Sequence, residues 1–161
     1  MAPPLLVDLS HMDLSKVQMD VAAIEAVNPH RDPMRLIDAV VHIDDALTEA
    51  VALKGIRDDE FWVPGHIPGR PLFPGVLMIE AAAQLASLLS VLRARRDKVD
   101  QRFLGFVGAD DVKFRGQVVP GDRLVLLGKM VEARRRRFIC DCQAVLKGTL
   151  VFEARITGMP M

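Results

Sequence analysis

Between Arg70 and Arg93 the chain carries a single ionisable residue, Glu80. From Gly75 to about Arg93 the pattern is helical, and Ala81 to Leu92 is an uncharged run of twelve residues. A helix that is apolar almost all round has no face to offer water, so the rest of the chain must wrap it. Twelve residues suit a core helix, whereas a membrane span needs about 20, so no membrane insertion is expected. The run Arg93, Arg95, Arg96, Lys98 suits a helix C-terminus.

What wraps the helix reads as strand. Arg35–Ile43 and Ala46–Lys54 flank a turn at Asp44-Asp45. After the helix, Phe103–Phe114 and Arg123–Val131 are joined through Pro120-Gly121-Asp122. Arg137–Leu146 and Leu150–Thr157 follow, joined around Lys147-Gly148. Residues 1–23 read as an N-terminal extension before a domain of residues 24–161, with Asp13 capping a short helix that includes Val17 to Val27. The expected class is α+β, a curved antiparallel sheet around one long helix. With 161 residues this is one domain.

Composition excludes several function classes. Lys plus Arg and Asp plus Glu are both 21, without the cationic surplus that nucleic-acid binding needs. Met1 to Ser10 lacks the basic residues and long apolar run of a secretory signal, so the cytoplasm is expected. Cys140 and Cys142 should share one strand face as packed, reduced thiols, with no zinc partner nearby.

Two features point to chemistry. Glu80, Gln84 and Ser87 form a narrow polar stripe on the helix, and a desolvated Glu80 would be a candidate general acid. The stripe could equally be where the helix meets water or a partner subunit. Upstream, residues 62–75 hold four prolines and three glycines in fourteen positions. His66 sits between Pro64-Gly65 and Pro68-Gly69, a setting that can hold an imidazole in place at little entropic cost. At the helix start, Gly75 offers a backbone N–H at the positive end of the helix dipole, suited to a carbonyl oxygen gaining charge. Base, acid and oxyanion donor together describe removal of a proton α to a carbonyl. His11 is read as exposed, His42 as a surface or packing residue, and His30 as bracing a turn.

The stretch Gly65-His66-Ile67-Pro68-Gly69-Arg70-Pro71-Leu72-Phe73-Pro74-Gly75-Val76-Leu77-Met78-Ile79-Glu80, continuing to Gln84, resembles the active-site segment of the β-hydroxyacyl-(acyl carrier protein) dehydratases of FabZ type. Pro29-His30-Arg31, Lys113-Phe114-Arg115 and Val119-Pro120-Gly121-Asp122 are similar too. The resemblance implies a hotdog fold and a homodimer, frequently assembled in that family as a trimer of dimers, with each site shared between subunits. It implies dehydration of a (3R)-3-hydroxyacyl chain on acyl carrier protein to the trans-2-enoyl thioester, in fatty-acid or related lipid synthesis. His66 would take the C2 proton, Glu80 would protonate the leaving hydroxyl, Gly75 would polarise the thioester carbonyl and Gln84 would orient Glu80. No metal or organic cofactor is implied. Near Phe103, a candidate substrate-binding residue, the family commonly carries a tunnel-gating tyrosine, and this chain has no tyrosine; Trp62 stands where a phenylalanine is common in the family. Arg93, Arg95 and Arg96, or Arg134, Arg135, Arg136 and Arg137 at an expected hairpin tip, are alternative docking points for the acidic carrier. A hotdog thioesterase and a non-catalytic acyl-binding or assembly subunit are the competing readings; the first has no evident need of His66, and the second should have lost His66 or Glu80.

Overall fold

A computed structural model describes residues 3–99 and 104–161 of the chain. Six antiparallel strands form one sheet, and a 22-residue helix lies across it. In chain order the elements are α1 (Val21–Glu25), β1 (Ala39–Ile43), β2 (Glu49–Gly55), α2 (Gly75–Arg96), β3 (Leu104–Phe114), β4 (Arg123–Arg134), β5 (Arg137–Leu146) and β6 (Thr149–Pro160). The strand order is β1-β2-β4-β5-β6-β3. This is the expected α+β arrangement, and β4 and β5 meet at the predicted tip, where Arg134 pairs with Arg137.

Strand alternation explains how both faces are filled. Ala50 and Ala52 of β2, Leu124 and Leu126 of β4, and Cys140, Cys142 and Ala144 of β5 face α2 in the main core. The intervening Val51, Leu53, Val125, Leu127 and Val145 are also buried, in a second cluster on the outer face. A sheet apolar on both sides needs two covers. The helix supplies one. The other is the N-terminal segment: Val7 is buried there, with Leu6, Leu9, Met12 and Leu14 packed around it. Gln143 fastens this segment, accepting from Leu6 N at 2.9 Å and donating to the Pro4 carbonyl at 3.1 Å. An aspartate in place of Val7 puts an unpaired charge into that cluster, at a cost of about 2–3 kcal/mol. Thermal unfolding of Val7→Asp should therefore come roughly 7 °C below the parent, and an unchanged melting temperature would show that the segment contributes nothing to the fold.

Several boundaries differ from the sequence reading. The first helix is confined to Val21–Glu25 and is capped by Asp20, whose carboxylate accepts from Ala23 N at 2.9 Å. Asp13 instead closes a local turn onto Ser15. Met19 bridges Val40, and the N–H groups of Gln18 and Met19 donate to the Val40 carbonyl, covering the open edge of β1. The chain before Ala39 is not strand, because Leu36 N is engaged by Gln84 Oε1 at 2.9 Å. The second strand starts at Glu49, after Asp44 has tied Thr48 and Glu49 into a turn. The helix runs to Arg96. By length and composition it could cross a membrane, but half of that window is buried inside the fold, where it serves as the core helix. Both cysteines are buried and free, their sulfurs 3.8 Å apart. Mutual hydrogen bonding and burial push the Cys142 thiol well above its ordinary value.

Candidate active site

His66 is delivered by a chain of tight turns rather than by a regular element. Gly65 N and His66 N both donate to the Trp62 carbonyl, at 3.2 and 2.8 Å. Beyond it, Leu72 N donates to the His66 carbonyl at 3.3 Å, and Phe73 N to the Val118 carbonyl at 2.8 Å. The imidazole Nδ1 lies 2.8 Å from the Leu72 carbonyl oxygen. A carbonyl only accepts, so Nδ1 carries the proton and the lone pair of the neutral ring is on Nε2. The ring itself is exposed in the single chain. Pro74, buried, precedes α2 and offers no side-chain cap, so no cap side chain competes for the first N–H groups of the helix. Gly75 opens the helix, and a Cβ there would meet the Phe114 ring at 2.8 Å, so a larger residue would have to displace that ring.

Glu80 lies one and a half turns further on, its side chain 30% exposed. Gln84, almost fully buried, organises its surroundings. Its Nε2 donates to Glu80 Oε1 at 2.8 Å and to the Met34 carbonyl at 2.8 Å, while its Oε1 accepts from Leu36 N. The Gln84 carbonyl accepts from Asn28 Nδ2 at 2.8 Å. Every hydrogen-bonding atom of the amide is thus engaged, and the carboxylate is held by a group that cannot rotate freely. Residues 28–36 are thereby fastened to the helix one turn below Glu80.

His30 is the residue that sequence reasoning misplaced. Its Nε2 approaches Glu80 Oε1 at 3.4 Å, and its Nδ1 is buried without a partner among the described residues. It therefore faces the carboxylate instead of bracing a turn. His30, Glu80, Gln84 and Ser87 line a cleft of about 60 Å³ with Phe106 and Phe138. No residue of the His66 loop lines this cleft. Within one chain His66 and Glu80 thus do not share this cleft. Among the described residues no three His, Cys, Asp or Glu side chains are grouped so as to hold a metal ion.

The arginines divide. Arg93, Arg134 and Arg135 line one cleft of about 710 Å³ between the end of α2 and the β4–β5 hairpin, so the two stretches that were alternatives in the sequence are walls of one feature. Arg95 is bonded to the Ala26 carbonyl, Arg96 to Asp97 and the Ala46 carbonyl, and Arg137 to Glu132. Arg136, at the hairpin turn, is exposed. Phe103 lies outside the described residues.

Residues 28–155 match the model of the FabA-like domain family. The chain is 38% identical over 141 residues to the 3-hydroxyacyl-[acyl-carrier-protein] dehydratase FabZ of Anaeromyxobacter dehalogenans, covering 88% of this chain and 90% of that protein. It is 39% identical over 140 residues to the enzyme of the same name from Brucella abortus, covering 87% of each. Among solved structures, the dehydratase heterocomplex ApeI:P from Xenorhabdus doucetiae superposes with a TM-score of 0.73 at 18% identity, over 86% of this chain and 90% of that one. A sigma28-regulated virulence protein from Campylobacter jejuni gives 0.67 at 14% identity, over 93% and 96%. These two likenesses concern the fold.

Proposed function

The chain belongs to the FabA-like family, and from that premise we propose how it dehydrates 3-hydroxyacyl-[acyl-carrier-protein], with His66 as base and Glu80 as general acid. The observation that carries the assignment is the Leu72 carbonyl on His66 Nδ1, which leaves Nε2 as the acceptor for a proton. Nε2 takes the proton from C2, and the electron pair released forms the C2–C3 double bond. The C3–O bond breaks as protonated Glu80 gives its proton to the departing hydroxyl, so water leaves. The proton on His66 then returns to Glu80 through solvent and resets the pair. The Gly75 N–H stabilises the negative charge that builds on the thioester oxygen, and Gln84 holds the Glu80 carboxyl toward the substrate.

The working site in this reading is built by two copies, a reading supported by the absence of His66 from the Glu80 cleft of its own chain. The edge of β1 is already covered, by Gln18 and Met19. Among the described residues nothing pairs with the outer edge of β3, which carries exposed Phe106, Val107 and Phe114, and Val76 of α2 is 69% exposed. An open edge strand with apolar side chains is a template for pairing with another chain. A homodimer joined at β3 would bring the imidazole of one subunit toward the carboxyl of the other. The cleft carrying Arg93, Arg134 and Arg135 is the docking point that suits an acidic carrier protein, and the cytoplasm is its setting.

Crotonyl thioester on a carrier, mixed with the protein, should lose its conjugated-enoyl absorbance as water adds, reaching equilibrium with the 3-hydroxyacyl form and releasing no thiol. Thiol release without enoyl interconversion would replace this reading with a thioesterase.

A further inference from the structure

Trp62 is the single tryptophan of the chain, and its indole N–H is given to a buried carboxylate. Glu60, 6% exposed, receives three donors: Lys54 Nζ at 2.8 Å and Arg57 N at 2.8 Å on Oε1, and Trp62 Nε1 at 3.1 Å on Oε2. Lys54 is 1% exposed and projects from β2 into the core, in phase with Ala50 and Ala52. A buried ion pair is weak evidence for stability, because packed apolar residues of the same volume often do as well. What the pair specifies here is the position of Trp62. The Trp62 carbonyl receives His66 N and Gly65 N. Its ring meets Phe73 edge-on, at 5.6 Å between centroids and 70° between planes. Phe73 follows Leu72, whose carbonyl holds His66 Nδ1. Trp62 therefore grips the His66 turn from both ends, through its backbone on one side and its ring on the other.

We propose that Lys54, Glu60 and Trp62 are positioning residues for His66, with the Glu60–indole hydrogen bond as the link between the strand and the loop. The proposal rests on the reading of His66 as the base. A phenylalanine at position 62 keeps an edge-on contact with Phe73 but has no donor, and leaves Glu60 Oε2 buried and unpaired. Loss of that link lets the imidazole drift, and small displacements of a catalytic group act on the chemical step rather than on binding.

The test is a cycle of folded variants. Trp62→Phe should lower kcat about tenfold with KM unchanged. Lys54→Met combined with Glu60→Leu removes the ion pair and the acceptor of the indole N–H without leaving a lone buried charge, and should produce a similar loss. The triple variant should be no slower than either parent variant, since all three residues act through one link. A Trp62→Phe enzyme within about twofold of the parent in kcat, or losses that simply add, overturns the proposal. Circular dichroism and melting curves establish that each protein is folded before its kcat is compared. His66→Ala is the separate control: if it retains turnover, the assignment of the base fails, whatever the cycle gives.

Discussion

His66→Ala and Glu80→Gln should each lower enoyl formation by about a thousandfold, within the range that general acid–base groups contribute. Both should do so without unfolding the protein. The His66 ring is exposed, and its removal frees one carbonyl, that of Leu72, in a loop open to water. A glutamine at position 80 keeps a side-chain oxygen to accept from Gln84 Nε2, so the polar network survives while the transferable proton is gone. The measurement is enoyl absorbance on 3-hydroxyacyl carrier, beside a melting curve for each variant. Turnover near the parent rate in either one removes that residue from the mechanism. Mixing the two inactive proteins under conditions of subunit exchange then probes the shared site. Random exchange makes half of the dimers mixed, and each mixed dimer has one site with both native groups, so on the order of one quarter of the sites should recover. Verified exchange with no recovery would mean that base and acid are drawn from the same chain.

How far this was legible depends on whether the signal was local. The core helix was, because an apolar run broken only by Glu80, Gln84 and Ser87 leaves no face for solvent. The strands β3 to β6 were, because Pro120-Gly121 and Lys147-Gly148 punctuate them. The N-terminal segment was not. Leu6, Val7, Leu9, Met12 and Leu14 follow neither a strand nor a helix period, and they acquire a role only beside the outer face formed by Val51, Leu53, Val125 and Leu127. Asp13 was the expected helix cap, but Met19 pairs with Val40 and the helix starts only after it, capped by Asp20. His30 lies fifty residues before Glu80, and nothing in local spacing connects them. Lys54 did leave a signal. The alternation Ala50, Ala52, Lys54 sets a lysine in the buried phase of a strand, which requires a carboxylate partner, and Glu60 is six residues on.

That buried pair sets the largest expected loss of stability. Lys54→Met leaves Glu60 as an uncompensated charge in the core, which typically costs about 3–5 kcal/mol. Adding Glu60→Gln removes the charge, so the double variant should regain most of the loss, a rescue that a lysine acting only as filler would not show. The dependence on pH carries a definite sign. Burial alone would raise the Glu60 carboxyl, but the donors from Arg57 N, Lys54 and Trp62 outweigh it and hold the group below its ordinary value. A carboxyl depressed in the folded state stabilises the protein above its unfolded value of about 4.3, and that contribution is lost as the pH falls through the folded value. Lys54→Met removes both the hydrogen bond and the charge that depress it, so the folded value rises and acid destabilisation begins at higher pH than in the parent. Denaturant melts from about pH 3 to 7 would show this as an acid limb shifted upward in Lys54→Met and missing its Glu60 component in the double variant. Superimposable pH profiles for the parent and Lys54→Met would mean that Lys54 does not govern the charge state of Glu60.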